Sequence, residues 1–327
     1  MRVLQSFKEP TSRSNPYVTQ LRDSLRVTGV VDPVCFSWRF ALLGRFDVFH
    51  AHWPEALIER RGFASTAARN AMYAILLARL KLTGTPIVRT IHNIELPEGI
   101  SPVQKALLVR TMRMTAVHVV LNEFTPIPPG ARAELVPHGH YVDWFAGHPK
   151  HEVLPGRILF FGKIRRYKNV EGLIRAFRGL PGGGDDHTLH VLGAPSSEDL
   201  SAQLRTAAAG DTRIRLVLAH VSDEALVAAV GESSLVVLPY PEMHNSGSVL
   251  AALSLRRPVL VPDNAFNRAL AEEVGRRWVL TYKGPLTSDA LADAISRAER
   301  VSDAAPDLRA RAWAESAQRH VAAYRQA

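Results

Sequence analysis

Residues 160–177 read FFGKIRRYKNVEGLIRAF. The largely apolar run Arg157-Ile158-Leu159-Phe160-Phe161 has the character of a buried strand and stops at Gly162. Lys163, Arg165, Arg166 and Lys168 follow, and then Val170, Leu173, Ile174 and Phe177 recur at helical spacing. Strand, glycine-and-cation loop and helix in succession suit a phosphorylated ligand. Glycine lets the backbone approach it, the cations supply charge, and the helix contributes free N–H groups and the positive end of its dipole. Taken alone, the segment also reads as a solvated basic turn in an α/β domain.

A second segment has the same grammar. Leu235-Val236-Val237-Leu238-Pro239 reads as a buried strand that runs into Tyr240-Pro241-Glu242-Met243-His244-Asn245-Ser246-Gly247-Ser248. A helix of small residues over 249–255 follows, stopped by Arg256-Arg257-Pro258 before another strand at 259–262. Asn245, Ser246 and Ser248 are good N-cap residues, and Gly247 again admits close approach. Two such units fit the two ends of one ligand better than one does. Strands and helices alternate along the whole chain, which predicts an α/β protein with parallel sheets covered on both faces.

With these motifs the chain resembles the GT-B glycosyltransferases, whose two facing Rossmann-like domains hold a nucleotide-sugar in the cleft between them. The similarity is to the large group carrying G-R-x-x-x-x-K-G and, later, E-x-F-G-x-x-x-x-E-A-x-A-x-G-x-P-V. The first motif falls on Gly162, Lys163, Lys168 and Asn169, with Lys for the usual Arg and Asn for the second Gly. In the family the two cations grip the donor diphosphate. The second motif ends at Pro258-Val259 and puts Met243 and Ala251 where the family has Glu, with Glu242 one position from the first. The second Glu normally holds the donor ribose and is missing, so the mechanism of the retaining members does not carry over whole. The resemblance implies donor binding by Gly162, Lys163, Arg166, Lys168, Glu242, Asn245, Ser246, Gly247 and Ser248.

Four N-terminal segments extend it. Asn15-Pro16-Tyr17 precedes a helix over 18–25. His52-Trp53-Pro54-Glu55 ends one apolar strand, His92-Asn93 ends another and leads to Glu95, Pro97 and Glu98, and Pro137-His138-Gly139-His140-Tyr141 closes the half. They are similar to the HWPE, HN-x-x-P-x-E and PHGHY segments of a branch of bacterial polysaccharide-assembly transferases that includes β-mannosyltransferases. The resemblance covers about 260 residues, from Asn15 to Trp278. Ligands of α/β folds sit at the C-terminal ends of strands. There His52, Glu55, His92, Glu95, Glu98 and His138 are candidates for a general base. Each is singly also readable as a structural hydrogen-bonding residue. Glu98 is the first choice, with His92 and Glu55 behind it, and Asn15, Tyr17, His52, Trp53, His138 and Tyr141 are expected around the acceptor.

Bulk properties bound the rest. A chain of 327 residues suits two domains. They are expected at 1–150 and 151–327, joined by a linker over 148–156, with an Ala/Arg-rich helical tail from 289 that in GT-B proteins often crosses back. With 46% apolar and 22% charged residues, the chain belongs to folded globular proteins. One cysteine, Cys35, excludes an internal disulfide or a multi-cysteine zinc site and reads as a core residue. No signal-peptide pattern opens the sequence, and no apolar run reaches the ~18–20 residues of a membrane span. A cytoplasmic protein, peripheral on the membrane, is expected.

Net charge is +9 and is concentrated between Ala56 and Thr115, where nine Lys/Arg face three acids. Amphipathic helices over 68–82 and 103–114 lie in that region. Each is readable as a membrane-facing basic helix or as a cover for the sheet, and the regional charge favours an anionic membrane. Nucleic acid is not an expected partner, because the cations lack interleaved aromatics and no nucleic-acid motif appears. The expected activity is transfer of a hexose from GDP-mannose or a UDP-sugar to a lipid-linked or saccharide acceptor. Cations stabilise the leaving diphosphate, with no cofactor or metal called for and inversion favoured. A non-hydrolysing nucleotide-sugar epimerase and a degenerate carbohydrate-binding or scaffold subunit are the alternatives.

Overall fold

The apolar runs read from the sequence are the strands of two parallel sheets. In the computed structural model, which describes residues 1–11, 14–59, 62–97, 99–180, 186–301 and 305–327, the chain forms two compact units. One comprises Met1–Gly139 with Ala310–Ala327, the other His140–Arg309. The crossing at Gly139/His140 lies before the linker expected at 148–156. The reason is packing: Tyr141 and Phe145 are buried in the second unit's core, and the Tyr141 N–H donates to Ser254 Oγ at 2.8 Å.

The first unit runs β1 (Arg2–Gln5), α1 (Pro16–Val27), β2 (Asp32–Val34), α2 (Trp38–Leu43), β3 (Val48–Ala51), α3 (Glu55–Ile58), α4 (Phe63–Thr83), β4 (Ile87–Ile91), α5 (Pro102–Met114), β5 (Thr115–Val120) and β6 (Arg132–Leu135). The second runs α6 (Val142–Phe145), β7 (Arg157–Phe161), α7 (Val170–Arg178), β8 (Thr188–Leu192), α8 (Glu198–Ala208), β9 (Ile214–Val217), α9 (Asp223–Glu232), β10 (Leu235–Val237), α10 (Gly247–Ser254), β11 (Val259–Pro262), α11 (Ala265–Val274), β12 (Val279–Tyr282) and α12 (Ser288–Ala298). Helix α13 (Trp313–Gln326) belongs to the first unit, where Trp313, Ala317, Val321 and Tyr324 join its core. The tail is thus two helices rather than one, and Pro306 lies in the break.

The sheet orders are β2-β1-β3-β4-β5-β6 and β12-β11-β10-β7-β8-β9. Reversal of winding leaves a crevice at the C-terminal strand ends, between β1 and β3 in the first unit and between β7 and β10 in the second. Both crevices carry the residues singled out from the sequence. Helix α7 buries Val170, Leu173, Ile174 and Phe177, the i, i+3, i+4, i+7 stripe that packs it on the sheet.

Helix α4 packs as a cover for the sheet, one of its two readings from sequence. Its buried stripe is Tyr73, Leu76, Leu77 and Leu80, while Ile75 is 57% exposed. Arg69 lies over the Trp38 ring and Arg79 donates to the Ala41 carbonyl, so these cations hold the unit's own surface. Arg60, Arg61, Glu98 and residues 181–185 of the expected surface turn lie outside the described residues. Cys35 is half-buried; burial, with Glu9 beside it, pushes its thiol up to about 12.

Candidate active site

In the second unit two loops meet at the switch point. Gly162, directly after β7, has φ +110°, which side chains disfavour and glycine does not. A Cβ built there would lie 3.3 Å from Ser248 Oγ and 3.6 Å from Lys168 Nζ. One glycine, one ammonium and one hydroxyl therefore line a single small depression. Lys168 ends a 3-10 turn, and Asn169 reverses the chain into α7 with φ 51° and ψ 38°. Asn enters this left-handed region more readily than other residues with a β-carbon, which accounts for Asn at a position where the resembled family has glycine.

The Lys168 ammonium sits 4.7 Å from the centroid of the buried Tyr240 ring. Burial first, then Arg165 and Lys163, lower its pKa from 10.5 to about 8. No carboxylate among the described residues pairs with it, so the depression holds uncompensated positive charge. Ser246 caps α10 by accepting the Val249 N–H, and Gly247 and Ser248 open the helix with N–H groups that no helical carbonyl can take.

In the first unit, the strand ends carry rings. His50 and His52 are two residues apart on β3 and its extension, hence on one face, with centroids 4.0 Å apart. His92, beyond β4, stacks on Trp53 at 4.0 Å and 16°. Tyr17 from α1 meets His92 edge-on at 5.1 Å, His138 at 4.8 Å and Trp313 of α13 at 5.5 Å. Hydrogen bonds join the set: His52 Nδ1 to His92 Nε2 at 3.3 Å, His52 Nε2 to Gln5 Oε1 at 2.9 Å, and His50 Nδ1 to the Tyr324 hydroxyl at 2.7 Å. Burial holds His50, His52 and His92 well below 6.5, and His138 at about 4. The imidazoles are neutral at physiological pH and able to accept protons. Glu55 and Arg89 line the same small cleft as His92; burial raises the Glu55 pKa and lowers that of Arg89.

A family profile described as "Glycosyl transferases group 1" matches residues 155–300. A protein of Xanthomonas campestris pv. campestris named GDP-mannose:glycolipid 4-beta-D-mannosyltransferase is 41% identical over 326 residues, covering 99% of this chain and 92% of the relative. The chain belongs to the group 1 glycosyltransferases. Among solved structures, sucrose-phosphate synthase from Thermosynechococcus elongatus superposes with a TM-score of 0.61 at 14% identity, over 99% of this chain and 94% of that one. HepE of Anabaena in complex with UDP and glucose gives 0.63 at 13%, over 100% and 95%. At such identities the likeness carries the fold, which is GT-B.

The site residues expected in this transferase fall into three groups. Gly162, Lys168 and Ser248 are brought together, with Gly247 beside them. His52, Trp53, His92, Tyr17 and His138 form the second cluster, with Glu55 in its cleft. The remainder are placed differently. Lys163 is exposed, and Arg166 is exposed and donates to Gln203 Oε1 on α8 at 2.9 Å. Glu242 is exposed while Met243 turns inward, 5% exposed. Asn15 accepts the Tyr17 N–H at 3.0 Å as the cap of α1. Tyr141 is corrected: at 5% exposure its ring packs beside Phe145 in the second unit's core and has no face for an acceptor. Gln5, His50 and Tyr324 were not among the expected residues. The i, i+2 pairing of His50 with His52 was a usable signal; for Tyr324, in the last helix, there was none.

Proposed function

We infer that this glycosyltransferase moves mannose from GDP-mannose to a hydroxyl of a glycolipid, with inversion, on the path to a cell-surface polysaccharide. The observation that carries this is the 41% identity, over nearly the whole of both chains, to a protein named for that reaction. The mannose of GDP-mannose is α-linked, so a β-linked product requires inversion and a base on the acceptor side. The second unit supplies donor binding: Lys168, Ser248 and the open end of α10 stabilise charge growing on the departing diphosphate without needing a metal. The first unit supplies acceptor activation from among His92, Glu55 and Glu98.

No helix among the described residues is long and apolar enough to cross a membrane. Contact with an anionic membrane is assigned to α5, whose Lys105, Arg110 and Arg113 are exposed beside Val103, itself 58% exposed. Thermal-shift measurements with GDP, UDP, ADP and TDP test the donor assignment. GDP alone should raise Tm, and EDTA should leave transfer unchanged. Stabilisation by none of the four refutes the donor site.

A further inference from the structure

The hydrogen-bond chain of the first unit decides which nitrogen of His92 is a base. Gln5 donates from Nε2 to the Tyr324 hydroxyl at 3.4 Å, which turns its Oε1 toward His52 Nε2 at 2.9 Å. An amide oxygen only accepts, so His52 carries its proton on Nε2 and offers Nδ1 as an acceptor. His52 Nδ1 lies 3.3 Å from His92 Nε2, and that contact requires the His92 proton on Nε2. His92 Nδ1 is then a lone pair, engaged by no hydrogen bond among the described residues. At the other end, the Tyr324 hydroxyl donates to His50 Nδ1, and His50 Nε2–H donates to Thr90 Oγ1 at 2.8 Å. Each link fixes the next, starting from the Gln5 amide as it is oriented here; reversing that amide would keep the contacts, reverse every link and move the His92 proton to Nδ1.

We propose that His92 Nδ1 takes the proton of the attacking hydroxyl, and that Tyr324, acting through Gln5 and His52, is a positioning residue holding His92 in that tautomer. The proposal rests on the inverting reading above. In the step, the acceptor O–H bond breaks as its proton moves to Nδ1, and the oxygen bonds to the anomeric carbon. The bond from that carbon to the diphosphate oxygen breaks, its electron pair leaving with the nucleoside diphosphate. The stack on Trp53 and the edge contact with Tyr17 fix the ring plane, so tautomer and orientation are both set before the acceptor arrives. Tyr324 is 3% exposed and held in the core of the first unit, as an anchor should be.

The test uses the full chain, GDP-mannose and a bacterial lipid extract, with mass detection of the product. His92→Ala should lower kcat by ~100-fold or more, with GDP binding unchanged. Tyr324→Phe keeps the ring and its packing; it should lower kcat about tenfold at unchanged donor KM, as should Gln5→Met. Long-range proton–nitrogen NMR of the histidine rings reads the tautomer without any substrate. Expected are a pyridine-type Nδ1 at His92 in the native protein and mixed tautomers in Tyr324→Phe. A pyridine-type Nε2 at His92 in the native protein overturns the wiring. So does a Tyr324→Phe variant with native kcat and native ring nitrogens, whatever its Tm. If the native protein is stabilised by GDP yet transfers no mannose, the transferase reading fails while the spectra still judge the tautomer.

Discussion

Replacing Lys168 by Met should make the protein more stable and less active at once. In the ligand-free protein the ammonium is a half-buried cation among cations, with its pKa lowered from 10.5 to about 8. At 1.36 kcal/mol per pKa unit, that displacement corresponds to about 3 kcal/mol of destabilisation. The contact with the Tyr240 ring returns about 1 kcal/mol, leaving about 2 kcal/mol to be gained by an apolar side chain of similar length. For a unit of this size that is a Tm increase of ~4–8 °C. The sign follows from proton counts. Between about pH 8 and 10.5 the unfolded chain holds a proton that the folded one has released, so native stability rises with pH in that window. The Met variant should lack that rise. Catalysis moves the other way: a charge ~4 Å from a diphosphate oxygen at an effective dielectric of ~20 contributes about 4 kcal/mol, so kcat/KM should fall ~100–1000-fold. Native kcat/KM should also decline above about pH 8, where the free enzyme's ammonium loses its proton. Differential scanning fluorimetry without ligand, then with GDP, and steady-state transfer assays read all of this. A variant with lowered Tm, or with native kcat/KM, would refute the reasoning.

Gly162→Ala places a methyl group at φ +110° and 3.3 Å from Ser248 Oγ, in the depression itself. It should cost about 1–3 kcal/mol of stability and abolish the GDP-induced rise in Tm, both measurable in one melting experiment. Reversing two exposed cations of α5, Lys105→Glu with Arg110→Glu, should weaken binding to phosphatidylglycerol-containing vesicles by more than tenfold in a flotation assay, at about 1 kcal/mol per charge removed. Binding to uncharged vesicles, Tm and GDP affinity should stay native. Unchanged flotation would move the membrane contact off α5.

The second unit was legible because its determinants are local. Buried strands such as β7 and β10 are continuous apolar runs, α7 carries its 3.6 period in four residues, and Gly162, Lys168 and the Ser246 cap lie within a few positions of the strand ends they serve. The first unit hid more. His52 and His92 were found as strand-end residues, but the partners that orient them come from β1, β4 and α13, distant in sequence and adjacent only through the order β2-β1-β3-β4 and the return of the last helix. Charge misled where local sequence could not show its target. Arg69 and Arg79 read as part of a basic surface and Arg166 as a donor ligand, yet each is spent on a ring, a carbonyl or an amide of its own unit. Tyr141 failed for a related reason: the motif places it next to His138, and the chain crosses to the other unit between them.

The departures from the resembled motif sort by what the backbone and the field can bear. Asn169 takes the glycine's place because the position needs a left-handed residue, not a missing side chain. Lys163 keeps a charge in an exposed position, where the difference between ammonium and guanidinium geometry matters least. The two carboxylates are a different kind of loss. Met243 and Ala251 are 5% and 6% exposed and contribute to the second unit's core. An acid near the depression would raise the Lys168 pKa and share its charge before any ligand came. With both acids absent, the groups that act on this ammonium besides burial are Arg165 and Lys163, each pushing it toward deprotonation. A diphosphate arriving there meets a cation with no internal partner to displace, and its binding should draw a proton onto Lys168. Calorimetry in buffers of different ionisation enthalpy at pH 8 should therefore register proton uptake on GDP binding, and the Met variant should register none.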